Sequence, residues 1–342
     1  SMIGVSAIGM MLFTSRPVGD AMATTIWGTA SSWTLTALPL FVWMGEILFR
    51  TKLSENLFKG LSPWMQKLPG GLIHVNVVGC ALFAAISGSS AATVATVGKM
   101  SIPELRKRNY PEKILLGSLA GSGTLGLLIP PSIILIIYGV AVQESIAKLF
   151  IAGIIPGIMI ALIFMSYVII WSLINKKEMP QILEDYSFLE KIKSSKQLLP
   201  VILLIFSVIG SIYTGIATAT EAASLGVVGA LILSYFQKSL NLETFKSSLL
   251  GATKTSCMIA FILAGSTFLS LAMGFTGLPR NLAIWIQSMD LSPYVLILVL
   301  MIFYIILGMF LDGISAVVLT MAIIEPMIRQ AGFDMIWFGI FL

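Results

Sequence analysis

Ser87-Gly88-Ser89-Ser90-Ala91-Ala92-Thr93 is a run of small residues set in apolar sequence, and a degenerate second copy, Asp312-Gly313-Ile314-Ser315-Ala316, follows about 223 residues later. Hydrocarbon offers no water to free amides and carbonyls. Gly- and Ser-rich interruptions at membrane depth therefore persist only where protein or a water-filled cavity satisfies the backbone. One interrupted apolar element carried twice is the pattern of a transporter, and the interruptions point to its binding site.

That depth follows from composition. Of 342 residues, 57% are hydrophobic and only 11% charged, with a mean hydropathy of +0.96; too little polar surface is present to cover a soluble globule of this length. The bilayer is the first partner the chain implies, and no nucleic-acid partner is read from it. Apolar stretches near the spanning length of about 20 residues occupy 34–49, 71–86, 114–142, 146–174, 198–214, 217–236, 248–275 and 291–311. Eight to ten embedded segments are expected. The opening residues lack a basic leader and a cleavage site, and look like the end of a longer helix. Cys80 and Cys257 lie far apart in apolar runs and read as small buried hydrophobes. The single His74 lacks an obvious partner and reads as packed or interfacial rather than as a proton relay.

Charge is distributed unequally between the two copies. Arg50, Lys52, Lys59 and Lys67 precede the first, and Lys99, Arg106, Lys107, Arg108 and Lys113 follow its tip; around the second stand only Arg280 and Arg329. The positive-inside rule places the flanks of the first copy in the cytoplasm and those of the second outside, so the halves are expected to be inverted. At an offset of about 223, Val94, Pro103, Arg106 and Tyr110 meet Val317, Pro326, Arg329 and Phe333, while Thr51, Leu53, Asn56 and Leu57 meet Thr276, Leu278, Asn281 and Leu282 at about 225. Pro, Arg and Asn matches carry the weight, because apolar segments supply Val and Leu pairs by chance.

Each copy reads as a span, an amphipathic connection, and a span leading into a hairpin that does not cross. In 51–68, Leu53, Leu57, Leu61, Trp64, Met65 and Leu68 recur at helical spacing against Lys52, Glu55, Lys59 and Lys67; this helix is expected to lie in the membrane interface. The hydrophilic stretch 175–197 reads as a linker without chemistry of its own.

The chemistry resides in the interruptions. After the first hairpin, Gly117-Ser118-Leu119-Ala120-Gly121-Ser122-Gly123-Thr124 opens a span that reaches Ile129-Pro130-Pro131-Ser132. Paired prolines remove two amide donors and force unwinding, leaving carbonyls free. Such neutral oxygens, with Ser and Thr hydroxyls, suit a sodium ion, and half-helix N-termini favour a carboxylate. Gly88, Ser89, Ser90 and Thr93 of the hairpin tip should meet Gly121, Ser122, Gly123 and Thr124 and the Pro130-Pro131 break. Asp312 occupies the position matched by Ser89 and opens the second hairpin with Gly313 and Ser315; a sodium site near Ser89, Gly123 and Asp312 is expected. In Gly215-Ile216-Ala217-Thr218-Ala219-Thr220-Glu221, Glu221 serves either a site or a helix cap, with Thr218 or Thr220 as N-cap. Glu46 reads as the i,i+4 partner of Arg50.

The run 87–93 with Pro103, the stretch 121–131 and the motif 218–223 together resemble the large M subunit of tripartite ATP-independent periplasmic (TRAP) transporters over essentially the whole chain. The resemblance implies an all-α inverted-repeat secondary transporter of bacterial or archaeal inner membranes, with two re-entrant hairpins and broken helices moving as an elevator. It implies uptake of organic acids such as sialic acid or C4-dicarboxylates, coupled to sodium ions and without another cofactor. It also implies a soluble substrate-binding protein outside and a small four-helix membrane subunit against the scaffold. The organisation expected is 1–70 for first-repeat scaffold and arm helix, 71–142 for the first hairpin and broken helix, and 143–197 for a connecting span and linker. Second-repeat scaffold and arm then occupy 198–290, and the second hairpin 291–342. The family's Thr-Pro-Pro-type partner of Pro130-Pro131 is not found after the second hairpin, and the chain reads as truncated at both ends.

Other classes fit less well. A hydrolase would need a base beside its Ser nucleophile, and His74 is the sole imidazole; no Walker loop supports an ATP-driven pump. A channel lined by hydroxyls and carbonyls and a stand-alone sodium/carboxylate symporter remain as alternatives.

Overall fold

The computed structural model describes the chain except Ser1, Arg16, Lys52, 181–185, Gln197, Leu278, Arg280, 282–283 and 285–291, together with the side chains of 53–55. Arg280, Leu278, Leu282 and Lys52, used above in the charge and repeat comparisons, lie outside the described residues. So does the Glu55 side chain. Among those described, every regular element is helical. In order they are α1 Met2–Phe13, α2 Val18–Ala30, α3 Ala37–Phe49, α4 Leu53–Met65, α5 Ile73–Ser87, α6 Ser90–Lys107, α7 Glu112–Gly123, α8 Leu125–Leu128, α9 Ile133–Ala141 and α10 Ile146–Ile174. There follow α11 Phe188–Ser195, α12 Leu199–Tyr213, α13 Ala219–Phe236, α14 Leu242–Thr276, α15 Pro293–Gly308, α16 Gly313–Gln330 and α17 Met335–Phe341. Among the described residues five helical stretches are long and apolar enough to cross a membrane, or seven if each of two bent pairs is one span.

Apolar runs decide most of these elements. The expected span 146–174 coincides with α10, and 217–236 shortens to α13 because Thr218 caps it. The run 248–275 lengthens upstream into α14, which starts at Leu242 and carries Glu243 in its first turn. In lipid or in protein alike, backbone groups are satisfied internally by helix, so apolar length predicts helix without predicting what covers it. Cys80 is buried as expected, whereas Cys257 is exposed on α14; an apolar run in a spanning helix meets lipid as readily as a neighbour. His74 is fully buried, its Nε2 2.8 Å from Pro69 O, in keeping with the packed reading.

The chain forms two compact units. The first comprises Ala37–Ile133 and Gly153–Thr253, and the second comprises 1–36, 134–152 and 254–342. In the first, α13 packs along α3 at small residues: a Cβ on Gly226 would lie 2.5 Å from Met44 Sδ, the close approach that drives helix association in lipid. Glu46 and Arg50 pair across one turn, and Arg50 Nε donates to Ser247 Oγ at 2.9 Å. The amphipathic α4 differs from expectation in what covers it. Leu57 and Leu61 are 3% and 7% exposed, buried by α5, α6 and α11 rather than left for lipid. The segment read as a linker supplies α11, whose Ser195 Oγ accepts from Trp64 Nε1 at 2.7 Å and whose Lys191 stands 5.6 Å over the Trp64 ring. Amphipathicity alone does not distinguish a lipid interface from a protein neighbour.

In the second unit, α14 packs on α1 through Met10, Phe268 and Ala272. Ser266 Oγ donates to Val318 O, and the Tyr304 and Thr320 hydroxyls meet at 2.7 Å, which fastens α16 to α14 and α15. Tyr138 Oη donates to Met335 O at 2.6 Å and Arg329 Nη2 to Val142 O at 3.0 Å.

Candidate functional site

At the tip of the first hairpin, α5 ends because Gly88 takes the left-handed conformation, φ +59°, and its amide donates to Ala84 O, a glycine C-cap. Ser89 then turns extended and caps α6: its Oγ accepts from Ala92 N at 3.4 Å. Thr93 Oγ1 donates to Ser89 O at 2.7 Å and lies 3.0 Å from Ser87 Oγ, with Thr93 fully buried. These oxygens are engaged with one another yet keep lone pairs, since a hydroxyl donates once and accepts twice. Ser90, in the first turn of α6, is half-buried.

The broken element meets this tip. α7 stops at Gly123, one turn of α8 follows, and Pro130-Pro131, joined by a cis peptide, separates it from α9. Pro130 and Pro131 cannot supply the amides that would bond Gly126 and Leu127 carbonyls; the Ser132 hydroxyl takes the latter. Ile133 N donates to Gly88 O at 3.2 Å. Three glycines permit the approach. A Cβ on Gly88 would lie 2.5 Å from Pro131 O, one on Gly126 2.9 Å from Ser90 N, and one on Gly123 2.0 Å from Val94 Cγ2. The tip and the Pro-Pro break thus share one contact surface. Gly121 packs on Phe164, and Thr124 is exposed with its hydroxyl bonded to Gly121 O. Ser122 is fully buried and donates to Ser118 O, turned toward α5.

Two participants escaped sequence reasoning. Asn76, fully buried on α5, donates from Nδ2 to Ser118 Oγ at 3.0 Å and to Leu115 O at 3.2 Å, fastening α7 behind the tip. Gly126 is the other. The available signals were an amide side chain inside the apolar run 71–86 and a glycine four residues before Pro130.

The second hairpin lies in the other unit. Asp312 caps α16: its carboxylate accepts from Ser315 N at 3.3 Å and from Ser315 Oγ at 2.5 Å. Gly313 and Ser315 occupy the first turn and are half-buried, whereas Asp312 is exposed. The two hairpin helices correspond closely. α6 and α16 each have 18 residues, each is capped from the preceding residue by a side-chain oxygen, and each contains a proline, Pro103 or Pro326. The following helices begin at Glu112 and Met335.

Thr218 and Glu221 form a capping box. Thr218 Oγ1 accepts from Glu221 N at 3.3 Å, and Glu221 Oε2 accepts from Thr218 N at 2.8 Å. Thr218 is therefore the N-cap, and Thr220 lies inside α13. Both Thr218 and Glu221 are exposed and make this cap. Among the described residues no three His, Cys, Asp or Glu side chains converge; the cation ligands on offer at the first tip are hydroxyl and carbonyl oxygens.

The sequence profile of the family described as the tripartite ATP-independent periplasmic transporter, DctM component, matches residues 1–342. The C4-dicarboxylate TRAP transporter large permease protein DctM of Pseudomonas aeruginosa is 32% identical over 342 residues, 99% of this chain and 79% of that protein. The sialic acid TRAP transporter large permease protein SiaM of Vibrio cholerae is 31% identical over 337 residues, covering 98% and 78%. An isethionate TRAP transporter permease protein DctMQ of Oleidesulfovibrio alaskensis is 29% identical over 344 residues, covering 99% of this chain and 53% of that protein. With a helical fold, several apolar helices of spanning length and a match along its whole extent, this chain belongs to the DctM family of TRAP transporter large permeases, which are transport subunits and not enzymes.

Proposed function

We propose that this protein is the translocating subunit of a sodium-coupled importer of an organic acid, of the sialic acid or C4-dicarboxylate class. It takes its cargo from a periplasmic binding protein, pairs with a small four-helix membrane subunit, and works in a bacterial or archaeal inner membrane. The observation that carries this reading is the matched pair α6 and α16. Ser89 and Asp312, Pro103 and Pro326, and the starts of the next helices at Glu112 and Met335 all stand 223 positions apart. Two hairpins with capped N-termini, one with densely basic flanks and the other with few basic residues, fit inverted repeats. Alternation between two faces is then an elevator movement of the hairpins and their broken helices.

The helix N-termini at Ser90 and Gly313 favour an anionic group, and the neutral oxygens of Ser87, Ser89, Thr93 and the Pro130-Pro131 break suit a hard cation. The relatives named for C4-dicarboxylates, sialic acid and isethionate support an organic acid as cargo. The test is uptake of labelled sialic acid and succinate into proteoliposomes holding the full-length protein and its small subunit. Uptake is expected only with both an inward sodium gradient and the binding protein. Sodium-driven uptake without the binding protein assigns a stand-alone symporter, and downhill flux without either assigns a channel.

A further inference from the structure

A cleft of about 660 Å3 opens in the first unit between α4, the C-terminal half of α6, and the segment around α11. Its walls carry Lys59, Lys99 and Arg108, the hydroxyls of Ser62, Tyr186 and Ser194, and one acid, Glu104. Glu104 stands 4.0 Å from Arg108. Lys59 and Lys99 are exposed and have no carboxylate partner among the described residues. In each helix a proline, Pro63 or Pro103, lies four positions after the lysine and faces the same cleft. It removes the amide that would close the turn onto that lysine's carbonyl. Phe58 and Met100 add apolar wall.

Two ammonium groups without a carboxylate partner among the described residues, set in a cleft with hydroxyls, ask for a phosphate. Position selects its source. From Ser90 to Lys99 is nine residues of helix, about 14 Å, close to half of a hydrocarbon core about 30 Å thick. With the hairpin tip at mid-bilayer, Lys99 stands at headgroup level on the side bearing Arg106, Lys107 and Arg108. We propose that this cleft binds the phosphate headgroup of an anionic phospholipid from the cytoplasmic leaflet, its acyl chains leaving past Phe58 and Met100. The leaflet rests on the proposed inverted orientation, with the basic flanks of the first hairpin in the cytoplasm; the binding itself does not. A lipid seated there joins α4 and α11 to the hairpin helix α6.

Native mass spectrometry of the full-length protein, titrated with phosphatidylglycerol and with phosphatidylcholine of the same acyl chains, tests this. Each basic group at a membrane surface contributes roughly fivefold in affinity. Preference for phosphatidylglycerol is therefore expected to fall about fivefold in Lys59→Gln or Lys99→Gln and on the order of 25-fold in the double variant. It should be retained in Lys59→Arg/Lys99→Arg and in Lys246→Gln, a control outside the cleft. Equal binding of the two lipids, or a preference indifferent to the double variant, overturns the proposal. Millimolar inorganic phosphate that binds equally well and displaces the lipid makes this a free-anion site and also overturns it. A cysteine at Lys107 that labels from outside would refute the orientation while leaving the lipid result standing.

Discussion

Gly126 and Gly117 separate packing from chemistry at the scale of a residue. A Cβ on Gly126 would press on the backbone of Ser89 and Ser90 at 2.9–3.0 Å, whereas one on Gly117 would meet nothing within 4 Å. Backbone cannot yield as a flexible side chain does, so Gly126→Ala should cost about 1–3 kcal/mol by overpacking and push the hairpin tip off the Pro-Pro break. Thermal unfolding in detergent together with sodium-driven uptake measures both effects; Gly117→Ala, in open space inside a helix, should leave uptake unchanged and stabilise by about 0.5–1 kcal/mol. The capping oxygen of Thr218 was legible in sequence, because Thr before an apolar helical run satisfies its first amides; Ser89 and Asp312 were read there as ion-site residues, and their capping contacts come from the structure. Asn76 was not legible as a brace, since its partners Ser118 and Leu115 lie about 40 positions away and only the fold brings them together.

Among the elements, the Pro-Pro interruption is the most decisive. Each proline in a helix interior costs about 3 kcal/mol relative to alanine, so Pro130→Ala/Pro131→Ala removes the main obstacle to continuity from α8 into α9. The double variant should fold, become more helical by circular dichroism, and lose uptake, because the Gly88 contact depends on the chain turning there. Uptake equal to wild type would detach the break from transport. The interruption was readable because proline acts locally through its missing amide and its ring. The covering of α4 was not. Leu57 and Leu61 make the same stripe whether lipid or a neighbouring helix lies against it, and α11 arises from a stretch whose polarity alone suggested a linker.

For the whole molecule, the proposed inversion of the two halves makes a sidedness prediction. Single cysteines at Arg106, Lys107 or Arg108 should react with an impermeant maleimide from the cytoplasmic face, and a cysteine at Arg329 from the opposite one. Labelling of all four positions from one face would refute inversion. The helical class and most spans were evident from composition, because the bilayer leaves few choices for backbone. The two compact units were not evident, because each gathers segments distant in sequence, such as 37–133 with 153–253 in the first.

Gly88, Gly123 and Gly126 carry one further consequence, for how natural variation in such proteins is interpreted. Any side chain at these three positions collides with the opposing segment of the tip, whatever ion or cargo the protein carries. Selection would hold them invariant across relatives that import different acids, and even across relatives that had lost ion coupling. Invariance here would record steric exclusion, and the evolutionary signature of the proposed cation site would belong instead to the hydroxyl positions Ser87, Ser89 and Thr93, where exchange between Ser and Thr keeps an oxygen and exchange to Ala deletes it.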